Sequence, residues 1–196
     1  MLKRLFDIAC ATVGLVLLAP LLLVLAVAVR LDSPGPAIFR QRRVGLRERE
    51  FDILKFRTMH TSGPAGALIT ASNDPRITRV GRILRRTKLD ELPQLVNALR
   101  GHMSLVGPRP EVSKYVSLYS TAVRAEIFSV RPGLTDYAAM EFRDESEILA
   151  RSDDPERTYV ETILPRKVDH YRRYVRERSF IGDVCIILRT LQAILR

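Results

Sequence analysis

The sequence predicts a membrane-associated α/β protein, and three observations carry that prediction. An uncharged stretch of 22 residues, Ile8 to Val29, stands near the N-terminus. Short apolar runs flank a charged turn between residues 37 and 56, as strands do. Beyond them, apolar residues recur at helical spacing in several segments, two of which carry a dense cationic or broad apolar face.

Composition narrows the field. Lys and Arg total 32 against 22 Asp and Glu in 196 residues, a formal charge of +10. Hydrophobic residues make up 46%, too many for a disordered chain. The two cysteines, Cys10 and Cys185, sit inside apolar runs, which excludes a disulfide framework and a cysteine zinc site and suits a reducing compartment. The basic excess points to an anionic partner: nucleic acid, lipid headgroups or phosphates. It is unevenly spread. Residues 51–100 carry 9 bases and 4 acids, whereas residues 136–161 carry 9 acids and 3 bases. A nucleic-acid coat rarely includes such an acidic block, so a localised basic site fits better and nucleic acid is not the expected partner.

As a helix, Ile8–Val29 would be roughly 33 Å long, enough to span a hydrocarbon core. A cleaved signal peptide would use Lys3, Arg4 and the Ala26-Val27-Ala28 triplet, but the apolar stretch exceeds the usual 7–15 residues of such a peptide. Two readings remain. Basic residues flank both ends, Lys3 and Arg4 before and Arg30, Arg40, Arg42 and Arg43 after, so the positive-inside tendency draws both ends to one side. Pro20 at the midpoint removes a backbone donor and disturbs the preceding turn. A segment broken at Ala19-Pro20 that returns to its own side and a kinked crossing both satisfy this pattern.

The Asp32-Ser33-Pro34-Gly35-Pro36 break ends that helix. Ala37–Phe39 and Phe51–Phe56 read as strands around the Arg42–Glu50 turn, and residues 61–75 as a Gly/Ser/Ala/Pro-rich loop. Ile77–Leu99 is amphipathic, with Asp74 as its cap, Pro75 at its first position and Gly101 as its stop. Arg79, Arg82, Arg85, Arg86 and Lys88 line its other face. Val112–Phe128 and Pro165–Arg178 read as helices. Phe180–Leu195 presents a broad apolar face, as an interface-lying helix or a core-packing one does.

Two constellations can do chemistry. The adjacent carboxylates Asp90 and Glu91 follow the cationic run; a carboxylate among arginines can serve as nucleophile or magnesium ligand, although a solvated pair with surface ion pairs is the commoner outcome of such spacing. Gly107-Pro108-Arg109-Pro110 frames an arginine with prolines, which suits bidentate phosphate contact or a rigid turn. Arg131-Pro132-Gly133 repeats that theme, and Lys55 and Arg57 add cations beside Thr58. His60, His102 and His170 lack metal-ligand spacing, and no phosphate loop, nucleophile elbow or dinucleotide fingerprint occurs.

Taken in order, the strings KRLFDI at Lys3, SPGPAIFRQRRVG at Ser33, FDILKFRTM at Phe51, ITRVGRILRRTKLDELPQLVNALRG at Ile77, MSLVGPRPE at Met103 and RPGLT at Arg131 resemble the bacterial sugar transferase family, the monotopic phosphoglycosyl transferases. The resemblance covers residue 3 to about 143, with the C-terminal helix in place, and the length matches the small catalytic form without an added N-terminal transmembrane domain.

It implies transfer of a sugar phosphate from a UDP-sugar to polyprenyl (undecaprenyl) phosphate, releasing UMP, with magnesium as cofactor and a covalent phosphosugar intermediate. By the resemblance Asp90 is the nucleophile and a metal ligand, Glu91 its dyad partner, and Arg85 and Arg109 sit over the phosphates, with Lys55, Arg57 and Arg131 as further phosphate or nucleotide ligands. It also implies a re-entrant membrane helix over residues 1–31 broken at Ala19-Pro20, followed by a cytoplasmic catalytic domain over 32–196 with interfacial helices including 180–195. The implied setting is the cytoplasmic face of a bacterial inner membrane, where the product begins a glycoconjugate or exopolysaccharide. Membrane lipids are partners, and the oligomeric state, homodimer included, stays open.

Three departures stand out: Ala19 where the family often has Ser, His102 where many members have Asp, and Asp136 after RPGLT where Gly is usual. Two rivals explain part of the pattern. A non-catalytic basic protein tethered to the membrane accounts for the charge and the anchor, and a magnesium-dependent lipid-phosphate hydrolase would use similar groups.

Overall fold

The computed structural model describes residues 2–60 and 68–195; residues 61–67 of the expected Gly/Ser/Ala/Pro-rich loop lie outside them. Leu2–Asp32 forms one helix, α1, which at 1.5 Å per residue is about 46 Å long. It remains helical through Ala19 and Pro20, so the interruption expected at that pair is not seen. A proline inside a helix forfeits one backbone bond and bends the axis without ending it when packing holds both halves.

Both halves are held, and by the same body. Phe6, Cys10, Ala11, Leu15 and Leu18 pack with Leu95, Leu105, Tyr174 and Ile186. Leu22, Leu25, Ala26 and Val29 pack with Phe56, Val80 and Leu84. The opposite face is bare: Val13, Val16, Leu17, Leu23 and Val24 are each more than half exposed. A contiguous apolar strip of that length on a soluble surface marks an interaction with a membrane or protein partner.

The body starts with the antiparallel hairpin β1 (Ile38–Val44) and β2 (Glu50–Phe56), in register from Ile38 opposite Phe56 to Val44 opposite Glu50. β1 is longer than its apolar run suggests, because Arg40, Arg42 and Arg43 can sit on a half-exposed strand.

The expected helix over 77–99 is divided. α2 runs Arg79–Thr87 and its cap is Thr78, whose Oγ1 accepts from Gly81 N, rather than Asp74. Lys88 then turns left-handed (φ 58°), Leu89–Glu91 forms a single 3₁₀ turn, and α3 runs Gln94–Arg100 up to Gly101. Asp74 instead holds Arg76, and Asp32 Oδ2 accepts from Val80 N.

The expected helix over 112–128 is likewise two pieces, α4 (Ser113–Val116) and α5 (Thr121–Ile127), the second capped by Ser120. Between α3 and α4 lies β3 (Ser104–Val106), which pairs in parallel with β4 (Gly133–Thr135). At Gly107 and Gly133 the two chains approach so closely that a Cβ on either would strike the other's backbone.

Short helices α6 (Tyr137–Glu141), α7 (Glu145–Ala150) and α8 (Pro155–Thr158) follow, and a π-helical turn at Tyr159–Ile163 leads into α9 (Leu164–Glu177). The main core gathers Val112, Tyr115, Ile127, Phe128, Phe142, Leu149, Ile163 and Tyr171 around α9. α10 (Phe180–Leu195) turns Asp183 and Ile186 inward and leaves Phe180, Ile181, Leu188 and Leu191 exposed. Phe180 meets Phe6 edge-on at 5.2 Å, so the bare faces of α1 and α10 adjoin.

Candidate active site

The break at Lys88 creates the site. Had the helix continued, Asp90 and Glu91 would stand on a rod 100° apart; in the 3₁₀ turn they are about 120° apart on a tighter coil. Lys88 Nζ donates to Arg143 O at 2.8 Å, which ties the left-handed residue down. Gly81 permits the approach of α2 to the segment after β2, since a Cβ there would collide with the Thr58 backbone. Asn97, on α3, accepts from Leu54 N and donates to Asp52 O, fixing the helix to the hairpin edge. The dyad is thereby set against β2.

Glu91 is enclosed by cations. Lys55 Nζ donates to its Oε1 at 2.9 Å, and Arg109 grips both oxygens, Nη1 to Oε2 at 3.1 Å and Nη2 to Oε1. Burial alone would push this carboxyl up, but the Arg109 charge, Lys55 and their hydrogen bonds hold it well below the usual carboxylate range. Arg109 is raised in turn, chiefly by Glu91.

Asp90 is the contrary case. It is 7% exposed and accepts no hydrogen bond among the described residues. Burial first, and Glu91 second, push its carboxyl above the ordinary Asp range against the pull of Lys55, Arg85 and Arg109. The pair thus has one carboxylate locked and one free, a separation of roles by environment.

Arg85 lies over the same turn. Its Nη1 is buried without a hydrogen-bond partner, and burial lowers its pKa against the pull of Asp90, Asp74 and Glu91. The loop bearing Arg109 is pinned from below: Arg109 N donates to Asp136 Oδ2 at 3.1 Å, and Gly133 N to Pro108 O at 2.9 Å. Asp136 is buried and also caps α6.

Of the residues expected here, Asp90, Glu91, Arg85, Arg109 and Lys55 come together. Arg57 does not join them. Its guanidinium donates to Pro34 O, Ser33 O and Val29 O, satisfying carbonyls at the C-terminal end of α1, where a cation is favoured. Arg131 is exposed and donates to Gly101 O. Its guanidinium makes no ion pair with the dyad among the described residues.

Two residues escaped the sequence reading. Asp136 was noted only as a departure from Gly, and its burial depends on the β3–β4 crossing. Gln94 is 1% exposed with neither amide atom partnered, one turn beyond Asp90; a polar residue four places from a catalytic candidate within a helical run is the signal that could have found it.

Among the described residues no group of three or more His, Cys, Asp or Glu side chains could hold a metal. A cation that keeps several waters and arrives with substrate phosphates, as Mg²⁺ does, needs only one or two carboxylates. Asp90 is the carboxylate free to contribute.

The sequence profile described as bacterial sugar transferase matches residues 1–196. A Caulobacter vibrioides protein named UDP-glucose:undecaprenyl-phosphate glucose-1-phosphate transferase is 41% identical over 98% of this chain and 69% of its own. An Aeromonas hydrophila protein named UDP-N-acetylgalactosamine-undecaprenyl-phosphate N-acetylgalactosaminephosphotransferase is 36% identical over 99% of this chain and 44% of its own. An Escherichia coli protein bearing the same name as the Caulobacter one is 38% identical over 97% and 39%. The chain thus spans less than half the length of the latter two.

Proposed function

The chain belongs to the bacterial sugar transferase family, and from that premise we propose that it is a phosphoglycosyl transferase that moves a sugar phosphate from a UDP-sugar to polyprenyl phosphate. The observation that carries the reading is the division of labour in the dyad. A buried, unpartnered Asp90 stands among Lys55, Arg85 and Arg109 while Glu91 is locked by two of those cations.

Asp90 Oδ attacks the β-phosphorus, the bond from that phosphorus to the bridging oxygen breaks, and UMP leaves with the electron pair. The polyprenyl phosphate oxygen then attacks the aspartyl phosphosugar, forming the diphosphate link and restoring the carboxylate. Burial keeps Asp90 poorly solvated and so more reactive. The three cations face the charge that builds on the equatorial oxygens. Glu91 aligns Arg109 and Lys55 and balances them until the donor diphosphate comes. Mg²⁺, held by Asp90 and the donor phosphates, would offset the repulsion between carboxylate and diphosphate.

The same contacts support a membrane arrangement. Both halves of α1 pack on one body, so a course in which α1 enters the lipid and leaves on the same side, bent at Pro20, accounts for its bare strip and for the basic residues at both ends. The bare faces of α1 and α10 then meet lipid at the cytoplasmic face of the inner membrane. There a soluble donor and a lipid acceptor can reach one site.

The test is intact mass. Protein incubated with UDP-sugar and Mg²⁺ alone should gain one sugar phosphate and release one UMP, and Asp90→Asn should do neither. Release of inorganic phosphate on adding polyprenyl phosphate, with no UMP from the donor, would support the lipid-phosphate hydrolase. An active protein with no adduct would point to direct transfer, with Asp90 only a metal ligand.

A further inference from the structure

Lys3 and Arg4 look like charges meant for lipid headgroups, but the fold uses both internally. Arg4 Nη1 and Nη2 donate to Ala98 O at 2.6 Å and Leu99 O at 2.9 Å, capping the C-terminal end of α3, the helix that follows the dyad. Lys3 Nζ pairs with Asp183 of α10 and donates to Val106 O at 3.1 Å. Tyr174 of α9 donates its hydroxyl within reach of the same two acceptors, Asp183 Oδ1 at 2.9 Å and Val106 O at 3.0 Å. One turn along α1, Asp7 Oδ1 accepts from Leu105 N at 3.1 Å. Asp7, Tyr174 and Asp183 are each at most 3% exposed.

These contacts converge on the last two residues of β3. Val106 lies three residues before Arg109, and the chain between them has little freedom: Gly107 N donates to Thr135 O at 3.0 Å and Pro108 follows. Asp136 holds the amide of Arg109 itself. The peptide leading to the phosphate arginine is therefore gripped from β4 and Asp136 on one hand and from α1, α9 and α10 on the other.

We infer that Lys3 and Tyr174, themselves held by Asp183, are positioning residues that aim Arg109 by holding the Val106 carbonyl, so that the seating of the membrane helix and the assembly of the phosphate site are one structural event. The inference rests on the role given to Arg109 under the proposed function. It assigns Lys3 to an internal ion pair rather than to a lipid headgroup, and it explains why Asp183 is buried in a helix whose outer face is apolar. Displacing the first turn of α1 would loosen β3 and spread the directions in which the Arg109 fork points, without removing any group that touches substrate.

Tyr174→Phe is the mildest probe, since it deletes one hydroxyl and keeps the ring. In the full chain in lipid nanodiscs, UMP release should show kcat/KM for the UDP-sugar lowered about fivefold to tenfold, with the thermal midpoint within a few degrees of the parent. In an Arg109→Lys background the same substitution should cost less than twofold, because an arginine already lost cannot be misaimed; a double-mutant cycle reads this coupling. Lys3→Met and Asp183→Asn should each behave like Tyr174→Phe.

Asp183→Asn is the decisive member, because it leaves the basic flank intact and acidic residues contribute little to topology. Multiplicative losses in the cycle would overturn the inference, as would a harmless Asp183→Asn beside a damaging Lys3→Met, which would return Lys3 to the lipid. If Arg109→Lys is itself harmless, the role of Arg109 fails first and the inference falls with it.

Discussion

Replacing Arg109 by Lys tests the site most directly, because it keeps the charge and changes only its shape. In the structure Arg109 uses both terminal nitrogens on Glu91, with Nη1 at 3.1 Å from Oε2 and Nη2 on Oε1. A donor diphosphate must draw that fork away from Glu91 or share it, and a planar fork can do so while keeping two parallel hydrogen bonds. An ammonium offers one strong direction. The loss is therefore about one charge-assisted hydrogen bond, roughly 1.5–3 kcal/mol. The Arg109 side chain is 27% exposed, so water softens the loss and the lower half of that range applies. At about 1.4 kcal/mol per factor of ten this is a fall of roughly 10–50-fold in kcat/KM.

The distribution of the loss matters as well. Lysine keeps the long-range attraction that collects the donor, so KM should change little and kcat should carry the effect, as for a contact strengthened in the transition state. The assay is initial-rate UMP release across donor concentrations at fixed Mg²⁺ and saturating polyprenyl phosphate. Activity within threefold of the parent, or a loss confined to KM, would refute the two-pronged role.

Asp90→Asn should abolish the adduct and yet stabilise the fold, because it removes a buried charge without a hydrogen-bond partner; a rise in Tm of about 2–4 °C corresponds to roughly 1 kcal/mol in a chain of this size, and a fall would show that the charge is well compensated. Glu91→Gln should do the opposite, costing about 3 kcal/mol by removing the ion-pair partner of Lys55 and Arg109; a Tm unchanged from the parent would contradict the locked arrangement. On acidification, activity should fail before the fold. Asp90, raised first by burial, takes up its proton above the ordinary Asp range and stops attacking, and since the folded state binds that proton more tightly its contribution to stability grows there. Glu91, held low by Arg109 and Lys55, contributes fully above the ordinary Glu range, and that contribution is lost progressively as the pH falls from there toward its depressed value. A pH–rate profile beside thermal melts at each pH checks this, and coincident midpoints would count against it. Pro20→Leu restores the backbone donor missing at position 20 and should favour a full crossing, so a cysteine at position 2, in a background lacking Cys10 and Cys185, should become labelled from outside intact cells; continued protection would mean that packing of both helix halves on the body, and not the proline, sets the topology.

The long apolar helix, the hairpin, α9 and α10, and the cationic run before the dyad are all legible in the sequence. Each rests on a local rule: an uncharged run of sufficient length, apolar residues at period 3.6 or 2, Gly and Pro at the ends. A cation near Asp90 was legible for the same reason, as Arg85 is a neighbour in the chain. What tertiary structure alone decided are the partners distant in sequence. Periodicity drew one helix across Lys88, where the tie to Arg143 O holds a left-handed turn, and the dyad's geometry depends on that break. Lys55 and Arg109 reach Glu91 across 36 and 18 residues; Arg57, equally basic, is turned to the end of α1; and Lys3 meets Asp183 across 180 residues. Residue type and spacing announce a cation, but its partner is whichever oxygen packing brings within 3 Å and shields from water.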